Sequence, residues 1–156
     1  MRKQTIEAIG LKYGIYSAAA YILFFFLMQL LGLEHLYWAR ALNYIFLFAG
    51  IILGIKEYKK KHSRSFAYMN GIGVGMIVSV VSTLIFAVFI TIYLDVIDPE
   101  FMAAIKKNQM FGQYLNPYIA GAAIFLEGTL SGAVTAFILM PYFKRNHKDE
   151  TEHSVP

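Results

Sequence analysis

The sequence predicts an all-α membrane protein: four transmembrane helices in an antiparallel up-down bundle, both termini in the cytoplasm, and a short interfacial helix between the third and fourth. Three observations predict it. Residues 71–94 carry no charged side chain, a run longer than the roughly 20 apolar residues a helix needs to cross a hydrocarbon core about 30 Å thick. Hydrophobic residues make up 58% of the 156 and charged residues only 15%, against about 25% in soluble domains. The cations are also lopsided: with four spans, 11 of the 14 Lys and Arg fall on one side, which the positive-inside rule makes cytoplasmic. The net charge of +4 therefore reports orientation and anionic lipid rather than nucleic acid.

The first span covers residues 13–33. Arg2, Lys3 and Lys12 precede it, and Gly32 supplies a helix stop. Ala39-Arg40-Ala41 fits the small-x-small cleavage pattern. The apolar run before it is too long for a signal-peptide core and further spans follow, so the segment reads as retained. A short connection makes span two, residues 37–55, the antiparallel neighbour of span one. Tyr37 and Trp38 sit at aromatic-belt depth, with Arg40 and Asn43 close behind. A basic loop follows, holding Lys56, Lys59, Lys60, Lys61 and Arg64, and Ser65 is the expected N-cap of span three, residues 68–94.

Asp98-Pro99-Glu100 then supplies an N-cap, a proline at the first helical position and an acid in the first turn. It launches a helix of about three turns, closed by Gly112, whose apolar side chains (Phe101, Met102, Ala104, Ile105) oppose Lys106, Lys107 and Asn108. This pattern suits an amphipathic helix lying in the membrane interface. Asn116-Pro117 repeats the cap-plus-proline device and opens span four, residues 118–143, which Lys144-Arg145 ends. Residues 1–145 thus form one four-helix domain, and the polar residues 146–156 read as a disordered cytoplasmic tail.

Helix association is expected at small residues. Gly50 and Gly54, Gly71 and Gly75, and Gly128 and Gly132 are pairs at four-residue spacing, which let backbones approach where lipid offers little hydrophobic drive. They serve packing within the bundle or contact between copies. Gly71-x-Gly73-x-Gly75 lies inside a span with no strand before it, so a phosphate-loop reading lacks its context.

Glu127 is the outlier, about 15 Å along span four from Pro117 at 1.5 Å per residue. A charge near the bilayer midplane costs on the order of 3 kcal/mol, so it must be protonated, paired or wet. Gln29, Arg40, Asn43 and Thr91 are the candidate partners. One reading is a buried contact that fixes helix register; another is a carboxylate in a transport or sensing path. Lys59, Lys60, Lys61 and Arg64 are candidates for anionic lipid headgroups, at about 1 kcal/mol per charge. The chain has no cysteine, no Ser/His/Asp arrangement and no paired acids in one layer. His147, Asp149, Glu150, Glu152 and His153 are not held in place as metal ligands must be. No catalytic residue, metal or cofactor is expected, and the chain is not expected to be an enzyme.

The pattern from Ser65-Phe66 through Gly71 and Gly75 to Tyr93 and Ile97-Asp98-Pro99-Glu100-Phe101 resembles the small bacterial membrane proteins of domain-of-unknown-function family 4199, found largely in Bacteroidota. The resemblance covers about residues 2–145. It implies a multi-pass location in the bacterial cytoplasmic membrane and four spans, and it transfers no activity and no site residue. Three functional readings follow. The first is a non-catalytic structural or accessory subunit whose partners are the bilayer and either a second copy or another membrane protein. The others are a small oligomeric transporter or channel subunit using Glu127, and an anionic-lipid-binding module using the basic loop.

Overall fold

The computed structural model describes residues 5–32, 37–62, 67–108 and 112–152. Among the described residues the chain is helical between short connections, with no strand. Helix α1 covers Ile6–Leu30, α2 Tyr37–Lys61, and α3 Tyr68–Ile92, which runs on through a π turn at Tyr93–Ile97. Helix α4 covers Pro99–Asn108 and α5 Pro117–Glu152. Three stretches among the described residues are long and apolar enough to cross a membrane: Ile6–Leu30, Tyr68–Ile97 and Pro117–Phe143.

Helix α3 is the axis. It packs against α1, α2 and α5, and half of its most apolar window is buried, against 22% for α1 and 17% for α5. Contacts fix the directions. Gly10 faces Val74 and Ile77, Gly14 faces Val81, and Phe25 meets Phe89, so α1 and α3 run the same way. Gly121, Gly128 and Gly132 of α5 face Thr91, Thr83 and Ser79 in descending order, so α5 runs against α3. Helix α2 opposes α1, with Gly50 on Ser17 and Gly54 on Tyr13.

The fully enclosed side chains gather toward the end where α1 begins and α2 ends. Ile9, Ile51, Ile55, Val74, Val78 and Met140 interlock there, all under 2% exposed. Toward the other end the core turns aromatic and belongs mainly to α1 and α3, through Tyr21, Phe25, Phe86, Phe89 and Tyr93. The buried hydroxyls of α3 are satisfied along their own helix. Ser79 donates to the Gly75 carbonyl at 2.7 Å, Thr83 to Ser79 at 2.7 Å and Ser82 to Ser79 at 3.2 Å. This back-bonding lets small polar residues sit in an apolar seam without an orphaned donor.

The expected punctuation is present. Gly32 lies just past α1 with φ +66, the left-handed conformation that favours glycine, and its N–H bonds the Gln29 carbonyl at 3.0 Å. The Asp98 carboxylate accepts the Phe101 N–H at 2.9 Å, and the Asn116 amide oxygen accepts the Ile119 N–H at 2.8 Å. Each cap is followed by its proline at the first helical position.

Four expectations need correction. Helix α3 starts at Tyr68 with Ala67 at the N-cap and no side-chain cap; Ser65 lies outside the described residues. Helix α1 starts a turn or more before residue 13, capped by Thr5, because a helix need not begin where charge ends. Helix α4 turns Phe101, Met102 and Ile105 onto the bundle core rather than presenting them to lipid. Its chain folds straight back, with Gly112 seated so close to the Lys106 carbonyl that a Cβ would collide. Finally, the expected disordered tail is helical through Glu152. Nothing in residues 146–152 breaks a helix, and a formed helix propagates at little cost once nucleated. Pro141 interrupts only one backbone bond in α5.

Candidate functional site

Two carboxylates organise the polar chemistry of the bundle. The first is Glu127, one residue before Gly128, which abuts Thr83 in the middle of α3. Its side chain is exposed on the flank of α5, and the Tyr44 hydroxyl of α2 donates to its Oε1 at 2.5 Å. Ser131 donates to the Glu127 backbone carbonyl at 2.7 Å, and Thr135 to the Ser131 carbonyl at 2.8 Å. Glu127, Ser131 and Thr135 therefore share one edge of α5 at four-residue spacing.

The expected partners of Glu127 go elsewhere or lie outside what is described. Gln29 donates its amide to the Tyr93 hydroxyl, tying α1 to the π turn. Thr91 donates to the Ala87 carbonyl at 2.8 Å and packs on Gly121. The side chains of Arg40 and Asn43 lie outside the described residues. Tyr44 was missed because tyrosines in span two read as belt anchors. The signal was its place, one residue beyond Asn43 on the same approach to the midplane.

The second carboxylate is Glu57, beyond the apolar stretch of α2, and the sequence gave no reason to single it out from the basic run. It accepts from Lys61 at 2.5 Å on Oε1, and from Lys12 at 2.9 Å and Tyr13 at 2.6 Å on Oε2. The Lys61 ammonium, then the Tyr13 hydroxyl and Lys12, hold its carboxyl down to about 2. Lys12 also lies over the Tyr13 ring, 5.1 Å from its centroid. Of the lysines expected to meet lipid, Lys61 is thus engaged with Glu57 in its own helix, Lys60 is exposed and Lys59 half-buried. Arg64 lies outside the described residues.

The glycines sit in the seams between helices. Gly50 faces Ser17 and Gly54 lies on Val74; Gly75 meets Ala136, Gly128 meets Thr83 and Gly132 meets Ser79. Gly71 is buried on α3. The repeated device is a glycine of one helix receiving a hydroxyl residue of its neighbour, which brings the two backbones close.

A family model described as protein of unknown function, DUF4199, matches residues 12–145. The chain belongs to the DUF4199 family. No curated protein and no solved structure matches it. The DUF4199 match opens at Lys12 and so takes in every member of both clusters, Lys12, Tyr13, Glu57 and Lys61 at one end and Tyr44 and Glu127 at mid-bundle. In this DUF4199 chain the two clusters differ in kind. Glu57 is shut in by three donors and only 14% of its side chain is exposed. Glu127 opens sideways between α2 and α5, where the two helices make fewer contacts than either makes with α3.

Proposed function

We propose that this DUF4199 chain is a non-catalytic accessory subunit of the bacterial cytoplasmic membrane, crossing it four times with both termini inside. The fourth crossing is α2. It packs along α1 and α3 for its whole apolar stretch, from Leu47 to Tyr58, so it must lie at their depth. The observation that carries the accessory role is the open face of α5. Leu126, Leu130, Val134, Phe137 and Ile138 are all more than half exposed, and Glu127 sits among them. A carboxylate facing lipid at mid-depth costs on the order of 3 kcal/mol, so this face is better matched to another protein than to acyl chains. The glycine seams are already filled within the chain, which leaves α5 to meet a membrane-embedded partner.

Photo-crosslinking tests this. A photoreactive residue at Leu130 or Val134 in native membranes is expected to yield a stoichiometric adduct with a second membrane protein. The same group at Leu23, which is 71% exposed on α1, is expected to yield lipid adducts only. Lipid adducts alone at all three positions would remove the accessory reading.

A second reading, a small transporter or channel subunit, is favoured by one observation: the line of Glu127, Ser131 and Thr135 runs along α5 from mid-depth toward the basic end. It requires water along that line. Cysteine placed at Ser131 and Thr135 must then react with a membrane-impermeant thiol reagent; if both stay inert, the line is dry and conduction is excluded.

A further inference from the structure

The seam between α1 and α2 at the basic end carries a built arrangement of charge that the accessory role does not use. The two oxygens of one carboxylate, Glu57, each hold a lysine: Lys61 from α2 and Lys12 from α1. Tyr13 shares the second oxygen, and the Tyr13 ring is braced edge-on by Tyr16, with centroids 6.1 Å apart. Both lysines keep 41% of their side chains exposed, and each ammonium has donors left beyond the one spent on Glu57. The cluster carries one net positive charge. It stands where the charge-free stretch of α1 begins and that of α2 ends, the depth at which phospholipid phosphates lie.

We propose that Lys12 and Lys61 together bind the phosphate of an anionic phospholipid, with Glu57 as the positioning residue that holds the two ammonium groups side by side. Two converging ammonium groups suit a phosphate diester that brings no cation of its own. A zwitterionic headgroup would put its ammonium against the two lysines. Tyr16, 59% exposed, lies beside the site where the glycerol region of that lipid would run. Lys56 and Lys60 on the same helix are exposed but are not drawn together by a shared carboxylate. The site stands independently of the accessory reading and would survive its failure.

The experiment is lipid retention by native mass spectrometry, releasing the whole protein from nanodiscs of mixed phosphatidylglycerol and phosphatidylethanolamine. One retained phosphatidylglycerol per chain is expected. At about 1 kcal/mol per charge, or roughly five-fold each, Lys12→Ala with Lys61→Ala should lower retention about 25-fold or more. Lys56→Ala with Lys60→Ala removes the same charge and should lower it about five-fold or less. Glu57→Gln decides between site and surface: it adds one positive charge, so a diffuse basic surface would hold more lipid, whereas the positioned site loses it. Equal losses from the two lysine pairs, tighter retention in Glu57→Gln, or equal retention of phosphatidylethanolamine would each overturn the proposal. Displacement of the lipid by millimolar inorganic phosphate would assign the site to free phosphate instead. Circular dichroism of each variant separates loss of the site from loss of fold.

Discussion

Exchanging one methyl group between α3 and α5 should reveal how closely the two helices approach. A Cβ on Gly75 would lie 2.6 Å from the Ala136 Cβ and 3.3 Å from the Ile51 Cγ2. Carbon atoms prefer about 3.5–4.0 Å, so Gly75→Ala forces α5 back by about 1 Å. Such overpacking costs about 1–3 kcal/mol, offset by up to about 1 kcal/mol of helix propensity gained over glycine. The expected net loss is about 1 kcal/mol. Ala136→Gly alone loses about 0.8 kcal/mol of buried methyl and about 1 kcal/mol of propensity, or about 2 kcal/mol in all. In the double variant the new methyl occupies the vacated place, 3.6 Å from the Cα at position 136, and the propensity terms cancel. Its stability should return to within about 0.5 kcal/mol of wild type, a coupling of about 2–3 kcal/mol, at the upper end of the range for residues in contact. Equilibrium unfolding in bicelles with increasing dodecyl sulfate measures all four corners of the cycle. Additivity within about 0.5 kcal/mol would refute the close approach, and with it the placing of the glycine seams inside the chain.

Other consequences follow at the two carboxylates and the outer turn. Because the Glu57 carboxyl sits near 2 in the folded chain against 4.5 ordinarily, its contribution to joining α1 and α2 is present above about pH 4.5. It drains away as pH falls toward 2; a melting profile between pH 2 and 7 should slope in wild type and flatten in Glu57→Gln. Tyr44→Phe removes the donor to Glu127 and should cost about 0.6 kcal/mol, the mean for hydrogen bonds between membrane helices, with no further loss when combined with Glu127→Ala. Asp98→Ala removes the cap of α4 and should cost about 1 kcal/mol locally. Faster amide exchange at Phe101 and Met102, with α3 unchanged, is the signature to look for.

What the sequence made legible was local. The stop at Gly32 and the caps at Asp98 and Asn116 each depend on residues within three positions of one another, and each stands where it was expected. The charge-free run of α3 likewise announced the most buried helix, because uniform apolarity marks an element with neighbours on several sides. What stayed hidden depends on register between distant segments. Tyr13 and Glu57 are 44 residues apart, Gln29 and Tyr93 64, and Tyr44 and Glu127 83. Rotating α2 by one residue, about 100° at 3.6 residues per turn, would break both of its cross-links, and no periodicity in so evenly apolar a helix states that angle. Glu57 was hidden for a second reason: in a run of lysines a lone acid reads as solvated, and only the facing Lys12 and Tyr13 show that it is enclosed. The α4 helix shows the converse case, where amphipathicity was legible but not whether its apolar face meets lipid or protein.

The claim on which the rest depends is that α2 crosses the membrane with the other three long helices. The chain contains no cysteine, so single cysteines can be introduced at Thr5, Leu31, Lys60 and Lys106 without background and labelled with an impermeant maleimide in right-side-out and inverted vesicles. Four crossings predict that Leu31 and Lys106 label from the outside, and Thr5 and Lys60 only from the inside. Leu31 and Lys60 labelling from the same side would mean that α2 does not cross, and the account would fail at its centre.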